Sequence, residues 1–166
     1  MKRVAGVFLC LFILSTPLNV TANSQGPVSY EDVPPQISQD AEIIGNKFNI
    51  CPELLIAIAF TESSYDTSVT NGGCKGLMQV STSVHADRFT KYGWTVSDWD
   101  NPYINMYVAG DYLSELFEMS EDVAEVLYLY NGDSTGLKKY KQSGYLSPYV
   151  SRILDIAASL ERQNNK

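Results

Sequence analysis

The chain has 166 residues, 45% of them hydrophobic, and carries 12 basic against 19 acidic side chains for a net charge of −7. That length suits one domain with a sizeable core, while so acidic a surface repels polyphosphate and argues against binding to nucleic acid or to anionic lipid by charge. A polymer gripped here is held by hydrogen bonds and stacking.

In chain order, Lys2 and Arg3 precede an apolar run over residues 4–14, followed by Ser15, Thr16, Pro17 and the small-residue exit Val20-Thr21-Ala22. This is the pattern of a secretory signal peptide over residues 1–22, with an uncleaved anchor as the alternative. The run is short for a membrane span and Pro17 interrupts it, so no stable span is expected after cleavage. Either way the domain is expected outside the cytoplasm, secreted or in the cell envelope, whether periplasm or cell wall. Cleavage removes Lys2 and Arg3 and no acid, which moves the net charge from −7 to −9. Residues 23–36, polar and rich in Gly and Pro without an apolar period, read as a flexible leader, and residues 37–163 as the folded domain.

Within it, the apolar spacing predicts a first helix over residues 39–48, capped by Ser38. A second covers 52–63, with Pro52 in its first turn and Glu53 near the positive end of its dipole. Because residues 54–60 are apolar nearly all round, this helix is the expected centre of the core. Turn residues ending in Asn71-Gly72-Gly73 follow. Further helices are expected over 84–92, 101–117, 121–130, 135–142 and 147–160. No run alternates as a strand does, so the fold class is mainly α, a single globule of six to seven helices.

Cys10 leaves with the signal. Cys51 and Cys74 then form an even pair in an exported chain, the setting in which disulfides persist. A bridge between them would contribute about 3.5 kcal/mol on the chain-entropy picture; two buried free thiols are the alternative.

Glu62 stands out because it lies at the far end of the apolar helix, with Ile58 and Ala59 one turn back on its face. Desolvation and the negative end of the helix dipole both favour the protonated carboxyl, which is what a general acid near neutral pH requires. The plainer reading makes Glu62 the first solvated residue after a buried helix. His85 is the single histidine, so no zinc site or Ser/His/Asp relay can be built around two imidazoles, and a surface or capping role is expected for it. The stretch from Asn131 through Asp133 to Gln142 only faintly imitates a calcium loop, lacking the first acid and the bidentate Glu. No metal and no cofactor are expected.

The segments Glu62-Ser63-Ser64-Tyr65-Asp66, Gly76-Leu77-Met78-Gln79, Asn101-Pro102 with Asn105, Gly110, Tyr112 and Leu113, Tyr130-Asn131-Gly132, and Tyr149-Val150 occur in fixed order. In that order and spacing the chain, over roughly residues 37–160, resembles the lytic transglycosylase SLT family. The resemblance implies a lysozyme-like helical fold and cleavage of the β-1,4 bond between N-acetylmuramic acid and N-acetylglucosamine in peptidoglycan glycan strands. It implies Glu62 as the single catalytic acid and base, with Ser63 beside it in the cleft and Met78 and Gln79 lining the glycan groove. Tyr130 would hydrogen-bond near the carboxylate, Asn131 would support that loop, and Tyr149 would close the cleft from the last helix. The product would be a 1,6-anhydromuramoyl end, and the protein a monomer. Two alternatives stand beside this: a hydrolytic muramidase helped by Asp66, Asp87, Asp98 or Asp100, and a catalytically silent glycan-binding factor.

Overall fold

A computed structural model describes residues 28–164; the expected signal peptide and the first residues of the leader lie outside this range. Seven helices form the body: α1 (Pro35–Phe48), α2 (Pro52–Ser63), α3 (Ala86–Lys91), α4 (Pro102–Met119), α5 (Val123–Asn131), α6 (Ser134–Ser143) and α7 (Pro148–Asn164). The architecture is mainly α and lysozyme-like, as expected.

The centre is α2. Pro52 opens it, and Leu54 through Ala59 are buried on every side, so this helix has no solvent face and its stability comes from the packing around it. It packs along α7 and against α1, while α4 crosses α1 and carries α5. The α1–α4 crossing is close at Gly110, where a Cβ would stand 2.8 Å from Ile44 Cγ2 and 3.0 Å from Phe48 Cδ2. Side chains cap the later helices: the Asn101 carbonyl oxygen takes the Ile104 N–H at 3.2 Å, and Asp122 takes the Ala124 N–H at 2.8 Å. Such caps satisfy backbone donors left open at helix starts.

Between α2 and α3 the chain makes a three-stranded antiparallel sheet, β1 (Thr70–Asn71), β2 (Cys74–Lys75) and β3 (Val80–Ser81), with Asn71 opposite Cys74 and Cys74 opposite Ser81. Strands of two residues are too short to display an alternation, which is why the sequence does not announce them.

Two expectations are corrected here. The leader does not stay loose over its whole length: Val28 and Val33 are buried in the core, and Tyr30 donates its hydroxyl hydrogen to Glu53 Oε1 at 2.7 Å. Gln163 on α7 accepts from the Tyr30 N–H at 3.1 Å and donates to the Val28 carbonyl at 3.2 Å. Residues 28–34 thus strap α7 to the start of α2, and α1 begins at Pro35, ahead of Ser38, because Pro suits a first helical position.

Nor do Cys51 and Cys74 bridge. Cys51 is a free thiol at the start of α2, whereas Cys74 lies in β2, which follows α2 in the chain. The intervening helix is itself about 18 Å long, at 1.5 Å per residue, whereas a disulfide needs Cα atoms within about 7 Å. The Cys51 thiol points at two carboxylates, Glu53 Oε2 at 2.9 Å and Glu161 Oε1 at 3.2 Å. Burial, together with the Glu53 hydrogen bond, pushes it up to about 12, so it stays protonated and unreactive. Glu53 itself sits below the usual carboxylate range: burial opposes this, but hydrogen bonds from Cys51, Tyr30 and Asn164 outweigh it.

Candidate active site

Glu62 occupies the last turn of α2, and the chain then breaks sharply, with Ser64 and Tyr65 both left-handed at φ 52° and 67°. Non-glycine residues hold that conformation only where surrounding structure enforces it. One enforcing contact is Ser63, whose buried hydroxyl meets the Leu77 carbonyl at 2.8 Å and the Ala59 carbonyl at 3.0 Å. This pins the Gly76–Gln79 turn to the helix end.

A second clamp holds the same turn from the other side. Asn105, fully buried on α4, accepts the Met78 N–H at 2.8 Å and donates to the carbonyls of Lys75 at 3.0 Å and Trp99 at 2.8 Å. Its amide nitrogen lies 2.5 Å from where a Cβ on Gly76 would stand, and Gly76 has φ +76°; both facts require glycine there. Gln79, at φ 48°, turns its amide nitrogen back to the carbonyls of Val69 at 3.1 Å and Gly76 at 3.0 Å. The hairpin is therefore rigid where it borders Glu62.

A cleft of about 980 Å³ opens here, lined among others by Glu62, Gln79, His85, Tyr112, Tyr130 and Asn131. Glu62 is half-buried beside it. Its Oε1 accepts the Tyr149 hydroxyl hydrogen at 2.6 Å, so Oε2 is left to carry the acidic proton. Burial pushes the carboxyl up to about 7, the Tyr149 hydrogen bond working weakly in the other direction. Burial and the nearby Glu62 likewise drive Tyr149 and Tyr130 well above the ordinary tyrosine range, so both remain protonated donors.

Of the other acids, Asp87, Asp111 and Glu115 also line the cleft, and several are held by partners of their own. Asp66 is exposed and closes its own turn, taking the Ser68 N–H at 2.8 Å and the Ser68 hydroxyl at 2.7 Å. Asp98 takes the Thr95 N–H at 2.8 Å, while Asp87 and Asp100 are exposed. Asp111, buried on α4, binds Arg88, Lys91 and Tyr92, and Glu115 pairs with the same Arg88. Burial is the main cause of the raised Glu62 carboxyl, with the Tyr149 hydrogen bond opposing it. No group of three or more metal-ligating side chains occurs among the described residues.

Of the residues singled out from the sequence, Glu62, Gln79, Tyr130 and Asn131 line the cleft. Ser63 and Met78 do not: Ser63 is turned into the hairpin clamp, and Met78 is wholly buried, presenting only its backbone to neighbours. The two tyrosines flank the carboxyl from different helices. Tyr130, near Glu62, donates to the Met78 carbonyl at 2.8 Å, and Tyr149 on the last helix holds Glu62 itself. Asn105 carries the clamp and was given no role from the sequence; an amide in the apolar stripe of α4, obliged to find partners once buried, was the available signal.

A mainly helical body with one half-buried carboxyl at the end of its central helix, facing a cleft of about 980 Å³, has the arrangement expected of a lysozyme-like domain. The chain matches the transglycosylase SLT domain over residues 41–149 and belongs to that family, which acts on peptidoglycan. It is similar to Protein IpgF of Shigella flexneri, 31% identical over 128 residues that cover 74% of this chain and 83% of the relative. Protein IpgF of Shigella sonnei is 30% identical over the same shares. Among the described residues no helix is long and apolar enough to cross a membrane.

Proposed function

We propose that the protein is an exported lytic transglycosylase that cuts the bond between N-acetylmuramic acid and N-acetylglucosamine and leaves a 1,6-anhydromuramoyl end. Glu62 is the single general acid and base. Still protonated in about half of the molecules at pH 7, it donates the Oε2 proton to the glycosidic oxygen as the bond from that oxygen to C1 of the muramoyl sugar breaks. The carboxylate so formed takes the proton of the C6 hydroxyl while O6 closes on C1. The proton returns to Glu62 and no water is consumed. The observation that carries this reading is the half-buried Glu62 carboxyl bordering the cleft and held by Tyr149, while Asp111 and Glu115 of the same cleft are tied to Arg88. Hydrolysis by the two-carboxylate plan needs a partner about 5 to 10 Å away, as nucleophile or to activate water. Asp87 is the cleft acid with no side-chain partner among the described residues, and product analysis separates the two plans.

Export and an envelope location rest on residues 1–22, whose charged start, apolar run and small-residue exit fit a signal peptide. Mass spectrometry of sacculi digested by the purified protein tests the reaction. Anhydromuramoyl ends with wild type and none with Glu62→Gln are expected; reducing ends would overturn the lyase assignment, and equal digestion by the variant would overturn the role of Glu62.

A further inference from the structure

The wall of the cleft formed by α3 and α4 is charged in composition yet closed in its bonding. Arg88 spends all three guanidinium nitrogens: one on Asp111, one on Glu115, and Nε on His85 Nδ1 at 3.3 Å. Asp111 is in turn saturated by Arg88, Lys91 and Tyr92. A substrate carboxylate would have to break this network to be bound by Arg88. What the wall leaves open is the other edge of His85. Because Nδ1 accepts from Arg88, the ring proton sits on Nε2, and Nε2–H takes no acceptor among the described residues. The ring borders the cleft and lies 4.5 Å from that of Tyr112, which lies 5.8 Å from Tyr130. Three rings in sequence thus lead along the cleft from the neighbourhood of Glu62.

We propose that His85 is a glycan-binding residue whose Nε2–H donates to an uncharged oxygen of the substrate, an N-acetyl carbonyl or a hydroxyl, away from the bond that is cut. Arg88 acts as a positioning residue that fixes the tautomer. This rests on the function proposed above and adds a contact that no motif of the sequence singled out. Burial and the Arg88 charge lower the imidazole to about 4, so over the neutral range it binds as a dipole and not as a cation. A neutral donor suits a sugar oxygen, and it draws affinity from a remote part of the substrate without touching the reacting atoms.

Binding can be read without turnover in the Glu62→Gln background, using a GlcNAc-MurNAc tetrasaccharide and calorimetry. His85→Phe keeps the ring on Tyr112 but removes the donor, and should weaken the tetrasaccharide about fivefold, the scale of one neutral hydrogen bond. His85→Gln restores a donor and should recover to within about twofold. In the active enzyme, His85→Phe should raise KM by a similar factor and leave kcat within about twofold. Nitrogen-15 spectra of the ring should report an Nε2-protonated imidazole at pH 7 whose Nε2 signal moves on adding tetrasaccharide. Unchanged affinity in His85→Phe, a His85→Gln variant no tighter than His85→Phe, or an Nδ1-protonated ring would each overturn the inference. A Glu62→Gln parent that fails to bind the tetrasaccharide would overturn the proposed function along with it.

Discussion

The Glu62 carboxyl is uncomfortable as an anion, and that discomfort has a measurable cost. Its folded value of about 7 stands above the model-compound 4.5, so the folded state binds this proton more tightly than the unfolded one, and stability is lost as pH rises from about 4.5 to 7. Glu62→Gln removes the penalty. The variant should match wild type near pH 4 and exceed it by roughly 3 kcal/mol at pH 8, at 1.36 kcal/mol per unit, in urea melts at the two pH values; a constant difference would contradict the account. Tyr149 works in the opposite direction by favouring the anion. Tyr149→Phe should therefore move the alkaline limb of the kcat/KM profile, where Glu62 loses its proton, to higher pH. At this scale the sequence was partly readable: an acid closing a run of apolar residues advertises itself. Which tyrosine meets the acid was not, since Tyr130 and Tyr149 are distant in sequence from Glu62 and the choice depends on how α5 and α7 pack. Ser63 and Met78 mislead for a related reason, because adjacency to a site residue does not fix which side of the backbone faces the cleft.

Among elements, the helices were legible and the hairpin was not. The boundaries of α2 follow from Pro52 and from the end of the apolar run, and the later helices start within a few residues of their Pro, Asp or Asn signals. The hairpin has no local pattern because its shape is imposed by partners: Ser63 from α2, Asn105 from α4 and Tyr130 from α5. Asn105 is the most consequential of these. Asn105→Ala strands the Met78 N–H and two carbonyls, so a loss of roughly 2 to 5 kcal/mol is expected, read as a lower denaturation midpoint. Activity should fall more than the populated folded fraction explains, since Gln79 and the turn beside Glu62 lose their support. A variant with wild-type stability would contradict the clamp.

For the whole molecule, the core is closed by a segment whose composition suggests none of this. Residues 28–34 look like linker by their Pro and polar content, yet Val28, Tyr30 and Val33 lock α7 onto α2. Deleting residues up to 34 exposes two valines and strips the Tyr30 bond from Glu53, and should lower the melting temperature by several degrees while leaving the helical circular dichroism at 20 °C nearly intact. An unchanged melting temperature would show the strap to be ornamental. The two cysteines illustrate the same limit of local reading. Pairing by count ignores that a whole helix separates the two ends of the intervening chain, and three-dimensional reach decides.

All scales converge on the ionisation of one side chain. Carbon-13 labelling of the glutamates, with Glu62→Gln used to assign the Glu62 carboxyl signal, allows its titration to be followed directly in the free protein. A midpoint of about 7, well clear of the surface glutamates, is expected; a midpoint near 4.5 would mean that Glu62 is already an anion at neutral pH and has no proton to give.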